Sequence, residues 1–328
     1  MVKKILIGLL GLIVVGITCV ALGLTWAHVA IRRERAPLPA PEAIVASTAG
    51  EDRPVRLTYI NTASQAMPRA SVLEPKLDPR PTEPYVMSHP SFVLEWADGR
   101  VLLIDIGMTH DGAVAFGAPI QRLSGGAAIQ PLTSVAERLG DARQQVQGVI
   151  FTHLHTDHTG GIQELCKGMQ HPVHVPMTVA QAERPNFTTR PGLRLLRDAD
   201  CVRMERLADG PLMPVRGFPG VYVIAAGGHT PGSQIIVAHV LGPQGTRSYV
   251  FVGDIVNNID GITNDIPKPF LYRWLIVPED NARQAELRQF LRGLRDRYGF
   301  TLLVSHDQRQ IEQSGLALWE QSRVTTHE

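Results

Sequence analysis

Cysteine is scarce: three residues in a chain of 328. That is too few for a disulfide framework, and the length excludes a small scaffold that would need one. Cys19 sits in an apolar run; Cys166 and Cys201 could pair, which the sequence leaves open. Net charge is nearly absent, at +1 from 32 Lys+Arg and 31 Asp+Glu. No bulk electrostatic attraction to nucleic acid follows from that balance, and no nucleic-acid partner is expected. Charged residues make up only 19% and hydrophobic ones 44%, a composition too apolar for a disordered chain.

Charge is also missing from one long stretch. Residues 5–31 contain no Asp, Glu, Lys or Arg. A bilayer core needs about 20 apolar residues at 1.5 Å rise, whereas the apolar part of a cleaved secretory signal runs to about 7–15. The run is longer than a signal and has no strong small-x-small site to close it. It reads as an uncleaved single-pass anchor with the lipid bilayer as its partner. Lys3 and Lys4 on one side nearly balance Arg32, Arg33 and Arg35 on the other, so the positive-inside rule does not decide the orientation. An N-terminal segment of this shape usually works in export, which leans the rest of the chain to the extracytoplasmic, periplasmic side.

The chain divides into an anchor at 1–35, a Pro/Ala-rich tether at 36–54 and a catalytic domain at 55–328. A strand is expected at 55–60. From 67 to 90, Pro68, Pro75, Pro79, Pro81, Pro84 and Pro90 predict a loop without regular structure. Residues 91–96 and 100–106 read as a hairpin through Ala97-Asp98-Gly99. Further strands are expected at 147–152, 221–226, 234–240, 248–252 and 301–304. Helices are expected at 280–298, where Leu287, Phe290, Leu291, Leu294 and Tyr298 share a face, and at 310–321. Strands in antiparallel-looking groups with interspersed helices predict a layered α/β or α+β domain.

Residues 152–161 read Thr-His-Leu-His-Thr-Asp-His-Thr-Gly-Gly. His153, His155, Asp157 and His158 follow a strand. Ligands two apart at a strand end can converge on one ion, and Asp157 and His158 on the next turn can face a second. Imidazole and carboxylate are ligands that zinc accepts at about 2.0–2.2 Å. His229, Asp254 and His306 each follow another expected strand. A lone strand-end aspartate is more often a cap; together these residues fit ligands carried on loops at one sheet edge.

This ensemble resembles the metallo-β-lactamase-fold hydrolase superfamily, in its residue types and order across about 90–310. The resemblance implies an α+β, four-layer αββα sandwich behind the N-terminal transmembrane helix. It implies two zinc ions, with iron or manganese possible. His153, His155 and His229 would hold one, Asp157, His158 and His306 the other, and Asp254 would bridge them. Asp105, in Leu102-Leu-Ile-Asp-Ile-Gly, matches the family's supporting aspartate.

Within the superfamily, β-lactamases carry Cys or Ser in place of Asp254, and the diiron flavoproteins carry Glu in place of His155. Glyoxalase II enzymes need a longer C-terminal extension, and the nucleases an inserted domain. The layout is most similar to the N-acyl homoserine lactonase-like branch. That implies a small-molecule ester or lactone, opened by a metal-bridging hydroxide with Asp157 handling its proton. Lactonases of that branch carry a tyrosine three residues after the bridging aspartate; this chain has Asn257, and Asn257 or a tyrosine from elsewhere is read as the donor to the oxyanion. A phosphoester or thioester hydrolase and a non-catalytic metal-binding protein are the alternatives. The segment 258–277 is expected either as an apolar wall over the site or as a loop closing the core edge. The oligomeric state is left open.

Overall fold

In the computed structural model, which describes residues 2–50 and 52–320, two β-sheets pack face to face. In chain order the strands are β1 (Arg56–Met67), β2 (Tyr85–Glu95), β3 (Val101–Ile104), β4 (Gln130–Pro131), β5 (Val146–Ile150) and β6 (Val173–Met177). They continue with β7 (Val202–Arg206), β8 (Met213–Pro214), β9 (Val221–Ala225), β10 (Gln234–Gly242), β11 (Gly245–Phe251) and β12 (Thr301–Leu303). One sheet has the order β4-β1-β2-β3-β5-β6-β7, the other β12-β11-β10-β9-β8. Strands β3, β5, β6 and β7 run parallel, as do β11 and β12.

Successive side chains on a strand point to opposite faces, and here both faces are covered. Leu94, Leu102, Ile104 and Ile150 from the first sheet meet Val223, Ile236 and Phe251 from the second. Phe92 and Phe251 touch edge to face across that layer, with centroids 4.9 Å apart. Their neighbours Val93, Leu103 and Val149 face outward onto Leu139, Ile162, Leu165 and Leu193. On the other outer face Ile224, Ile235, Val237 and Val250 meet Leu287, Leu291 and Leu294 of the helix Asn281–Tyr298. The result is the four-layer αββα sandwich expected.

Some boundaries differ from expectation. Strand β1 runs on to Met67, and β2 begins at Tyr85, inside the stretch expected to be loop. Pro90 is accommodated because the β1–β2 register shifts there: Asn61 pairs with Pro90, but Ser64 already pairs with Ser88. Such an irregularity does not need the missing N–H. The last helix is Gln308–Gln313 and not 310–321. Gly315, at φ 78°, turns the chain so that Leu318 pairs beside Tyr59; Gln321 lies outside the described residues, as does the domain's expected end.

The apolar run forms one helix, Val2–Arg32, long and apolar enough to cross a membrane. The stretch expected as a tether, 36–54, makes contacts with the domain. Pro41–Ala46 forms a short helix whose Ile44 is buried in the outer layer over β9 and β10. Ser47 Oγ lies 2.9 Å from His239 Nε2, and Ser248 Oγ lies 2.8 Å from its Nδ1. Burial, then the nearby Arg53, pushes this imidazole down to about 4, against about 6.5 in an unfolded chain. Below pH of about 6.5 the unfolded state takes up a proton that the folded one refuses, so stability falls towards pH of about 4 and levels off beneath it. Melting curves of wild type and His239→Gln should show a shallower acid slope for the variant. Equal slopes would remove His239 from the acid response.

Candidate metal centre

The histidine motif follows β5, His229 follows β9, Asp254 follows β11 and His306 follows β12. Strands β9, β11 and β12 run the same way, so their ends deliver these residues to one edge of the sandwich. Asp105 follows β3 in the adjoining sheet. It adopts φ 55°, a conformation disfavoured for a non-glycine residue. Three contacts hold it there. Its Oδ1 accepts from the Thr152 backbone at 2.8 Å; its Oδ2 accepts from Thr152 Oγ1 at 2.7 Å and meets His158 Nδ1 at 2.8 Å. Gly253, at φ 53°, brings the Asp254 turn against Thr152; an added Cβ would lie 2.7 Å from Thr152 Cβ.

All seven residues expected as ligands come together. His153, His155, His229 and Asp254 form one group, and His158, His306 and Asp254 another, with ligating atoms within 4.8 Å of one another in each. The two oxygens of Asp254 divide between the groups. Oδ2 lies 3.8 Å from His153 Nε2 and 3.7 Å from His229 Nε2, while Oδ1 lies 3.3 Å from His158 Nε2 and 3.1 Å from His306 Nε2. Asp157 Oδ2 approaches His306 Nε2 at 3.3 Å and His158 Nε2 at 3.7 Å. The Nε2 atoms of His153 and His229 are buried and have no hydrogen-bond partner. Gaps of 3.7–3.8 Å to a carboxylate are too long for hydrogen bonds and suit cations with bonds of about 2.0–2.2 Å. The donor set therefore fits metal.

The electrostatics agree. Burial keeps His153 well below its ordinary pKa, takes His155 down to about 3 and lowers His229, so these rings are neutral, the metal-binding form. Burial also opposes charge on His158 and His306. The surrounding carboxylates outweigh it, lifting His158 well up and His306 to about 9. Asp157 and Asp254 stay ionised despite burial because imidazoles surround them. The two ionised carboxylates favour positive charge beside them, on the imidazoles or on a bound cation.

Outer contacts orient the rings. His306 Nδ1 donates to the Ser88 carbonyl at 2.7 Å, and His155 Nε2 meets Thr188 Oγ1 at 2.9 Å. His229 Nδ1 meets Glu279 Oε1 at 2.6 Å. Glu279 also accepts from the buried Lys268 Nζ at 2.8 Å, and Lys268 donates to the Asp254 carbonyl. Sequence reasoning missed Glu279, Lys268 and Thr188, which lie far along the chain from the rings they touch. It also missed His89. This ring is fully enclosed, with Nδ1 3.4 Å from Asp157 Oδ2 and its centroid 4.9 Å from that of His306. Neither His89 nitrogen has a hydrogen-bond partner, and burial pushes the ring down to about 4.

Asn257 is buried, and its carbonyl accepts from Tyr85 Oη at 2.8 Å. Among the described residues, no hydrogen bond joins its side chain to the seven. A tyrosine does reach the area from the segment 258–277. Burial, then the carboxylates of Asp254, Glu279 and Asp157, hold Tyr272 well above the usual phenol range, so it stays a hydrogen-bond donor.

Fold and site define a metal-dependent hydrolase class. The metallo-beta-lactamase superfamily model matches residues 84–306, and the chain belongs to that superfamily. Among solved structures it is similar to an N-acyl homoserine lactone hydrolase with N-hexanoyl-L-homoserine bound at its catalytic metal centre. That match has TM-score 0.56, 16% identity and coverage of 81% of this chain and 98% of the other. A B. thuringiensis AiiA variant with N-decanoyl-L-homoserine at its active site matches with TM-score 0.57 and 16% identity, over 81% and 98% of the two chains. The dizinc quorum-quenching lactonase AidC matches with TM-score 0.50 and 13% identity, over 78% and 90%. At these identities the likeness is one of fold. No curated protein sequence matches the chain.

Proposed function

We propose that the chain is a membrane-anchored, binuclear zinc-dependent hydrolase that cleaves an ester or lactone. The observation that carries this is the division of Asp254 between two histidine groups. His153, His155 and His229 would hold one ion, Asp157, His158 and His306 the second, and Asp254 both. Two such ions would supply Lewis acidity and lower the pKa of a bound water towards about 7. The acyl C–O bond breaks, the oxygen of water ends in the carboxylate product, and its proton passes through Asp157 to the departing alkoxide. His89 lies beside that carboxylate, with Nδ1 3.4 Å from Asp157 Oδ2. Tyr272 or Asn257 donates to the carbonyl oxygen as charge develops on it.

Residues 1–35 serve as the anchor, 36–54 as the connection and 55–328 as the catalytic domain. The Cys166–Cys201 disulfide suits an oxidising compartment and supports an extracytoplasmic, periplasmic catalytic domain. The phosphoester alternative gains nothing from Lys268, whose ammonium is already engaged by Glu279 and the Asp254 carbonyl. The test is a panel of lactones, aryl esters, thioesters and phosphodiesters, with metal content measured on the same sample. Two ions per chain with turnover of a lactone or ester is the expected result. Turnover of phosphodiesters alone would overturn the substrate class, and bound metal with no turnover would make this a metal-binding protein.

A further inference from the structure

Two segments flank the metal cluster, and both are fastened to the foot of the N-terminal helix. On one side Thr188 touches His155, and four residues earlier Arg184 pairs with Glu34 at 2.7 Å. Between them Phe187 is 51% exposed. On the other side Lys268 reaches the Asp254 carbonyl, and its Nζ lies 5.3 Å from the Tyr272 ring centroid. Two residues beyond Tyr272, the Trp274 carbonyl lies 3.1 Å from His28 Nε2, and the two rings stack at 6.4 Å. Around Trp274, Phe270, Leu271, Leu275 and Ile276 all point out of the fold, with Leu271 63% exposed. The segment 258–277 thus divides: Ile262 and Ile266 are buried and close the core edge, while residues 270–276 stand out from it. A soluble domain rarely gathers so many large apolar side chains on one exposed turn.

The helix fixes what covers them. Its 31 residues span about 46 Å at 1.5 Å per residue, whereas the hydrocarbon core is about 30 Å thick. About 20 residues from Ile5 therefore cross it, which leaves Trp26 to Ile31 at the headgroup level. Ala27 and Ile31 are buried there, one turn apart, so the helix enters the domain as a docked element. Trp274, tied to His28, lies at the depth where tryptophan and tyrosine belts form. Arg32 and Arg33 are exposed at the same level, and the Arg273 guanidinium lies 5.7 Å from the Phe270 ring, placing cations beside lipid headgroups.

We propose that Phe187 and residues 270–276 dip into the bilayer interface beside the N-terminal helix, so that the metal centre opens towards the membrane and takes lipid-dissolved esters or lactones with a long acyl chain. The proposal rests on the membrane-anchored hydrolase reading above and adds the route and the substrate class. The acyl chain would stay in apolar surroundings from the bilayer to the cluster.

The test uses the full chain, with Cys19→Ser as background, in phosphatidylcholine vesicles. A nitroxide on Leu271→Cys reports whether position 271 meets oxygen, as in lipid, or a water-soluble nickel complex. Turnover is read on 4-nitrophenyl dodecanoate dissolved in the vesicles and on water-soluble 4-nitrophenyl acetate. The variant is Leu271→Glu with Ile276→Glu, two exposed positions whose change leaves the fold and metal content intact. The expected result is an oxygen-accessible label and a loss of about tenfold or more on the dodecanoate alone, the scale of removing one or two buried aliphatic side chains. A nickel-accessible label in vesicle-bound protein would overturn the docking. Equal losses on both esters, or none, would overturn the membrane route. If the wild type hydrolyses neither ester nor any member of the panel while the label is lipid-exposed, the hydrolase reading fails and the docking surface stands. Protein that does not stay with vesicles removes the anchor instead.

Discussion

Arg69→Met is expected to lower stability by about 3–5 kcal/mol, the usual cost of breaking a buried ion pair from one side. Arg69 sits in a single turn, Arg69–Ser71, within the proline-rich loop, and its side chain is only 3% exposed. Its guanidinium makes two bonds of 2.8 Å to the two oxygens of Asp78 and a third of 2.7 Å to Asp260 Oδ2. Both carboxylates are nearly as buried as the arginine. Methionine would keep the stem's volume and leave the buried Asp78 carboxylate without its guanidinium partner. Asp260 would retain Arg80, while Asp78 would lose its partner. The loss should reach the site as well, because this loop leans on the segment before Tyr272: the Glu74 backbone N–H donates to the Pro267 carbonyl at 2.8 Å. Denaturant unfolding of the detergent-solubilised chain measures the effect. A second variant, Arg69→Met with Asp78→Leu, should recover part of it, since it removes the stranded charge along with its partner. A loss below about 1 kcal/mol for Arg69→Met would mean the network behaves as a surface one.

Why the loop hides such an anchor from sequence reading is a question of range. Prolines announce irregular backbone correctly between Met67 and Pro84, but nothing local says that Arg69 meets Asp260, 191 residues away. The same limit explains His89. Pro90 beside it argues against a strand, and only the shifted pairing of β1 and β2 makes the strand possible. Strand β6 went unread for a similar reason. Pro176 breaks its pattern, yet β6 pairs with β5 only at His174, so Pro176 lies beyond that shared edge. Strand β7, Val-Arg-Met-Glu-Arg, is an edge strand with little burial, and its apolar alternation is only two residues long, Val202 and Met204. By contrast, the hairpin of β2 and β3 and the helix Asn281–Tyr298 were legible, because turn chemistry and a repeating apolar face are local signals. So was the convergence of the seven candidate ligands. Each follows a strand, and strands running the same way leave their ends on one edge. The supporting contacts from Thr188, Lys268 and Glu279 depend on loops folding back over that edge, which no spacing records.

Asp157→Asn is expected to cost turnover a factor of roughly 10² or more, the usual contribution of a positioned acid–base group. Asparagine keeps the shape of the carboxylate and removes its capacity to hold a proton. In the fold this carboxylate faces three imidazoles, with Oδ2 3.3 Å from His306, 3.4 Å from His89 and 3.7 Å from His158. On the proposed reading it passes a proton from water to a departing alkoxide. Because Asp157 is also a proposed ligand, metal content must be measured beside the rate. A fall in turnover that outruns the fall in bound metal assigns the effect to the proton. Asp254→Ala should be worse on both counts. Its oxygens lie 3.1 Å from His306 and 3.7 Å from His229, so it spans the two groups, and without it two cations would face each other with less negative charge between them. Asn257→Ala and Tyr272→Phe then separate the two candidate donors: whichever lowers lactone or ester turnover at constant metal content is the one that meets the carbonyl oxygen. If Asp157→Asn keeps both metals and full activity on the substrate the panel identifies, the proton takes another path, and His89, a buried base beside Asp157, becomes the group to replace next.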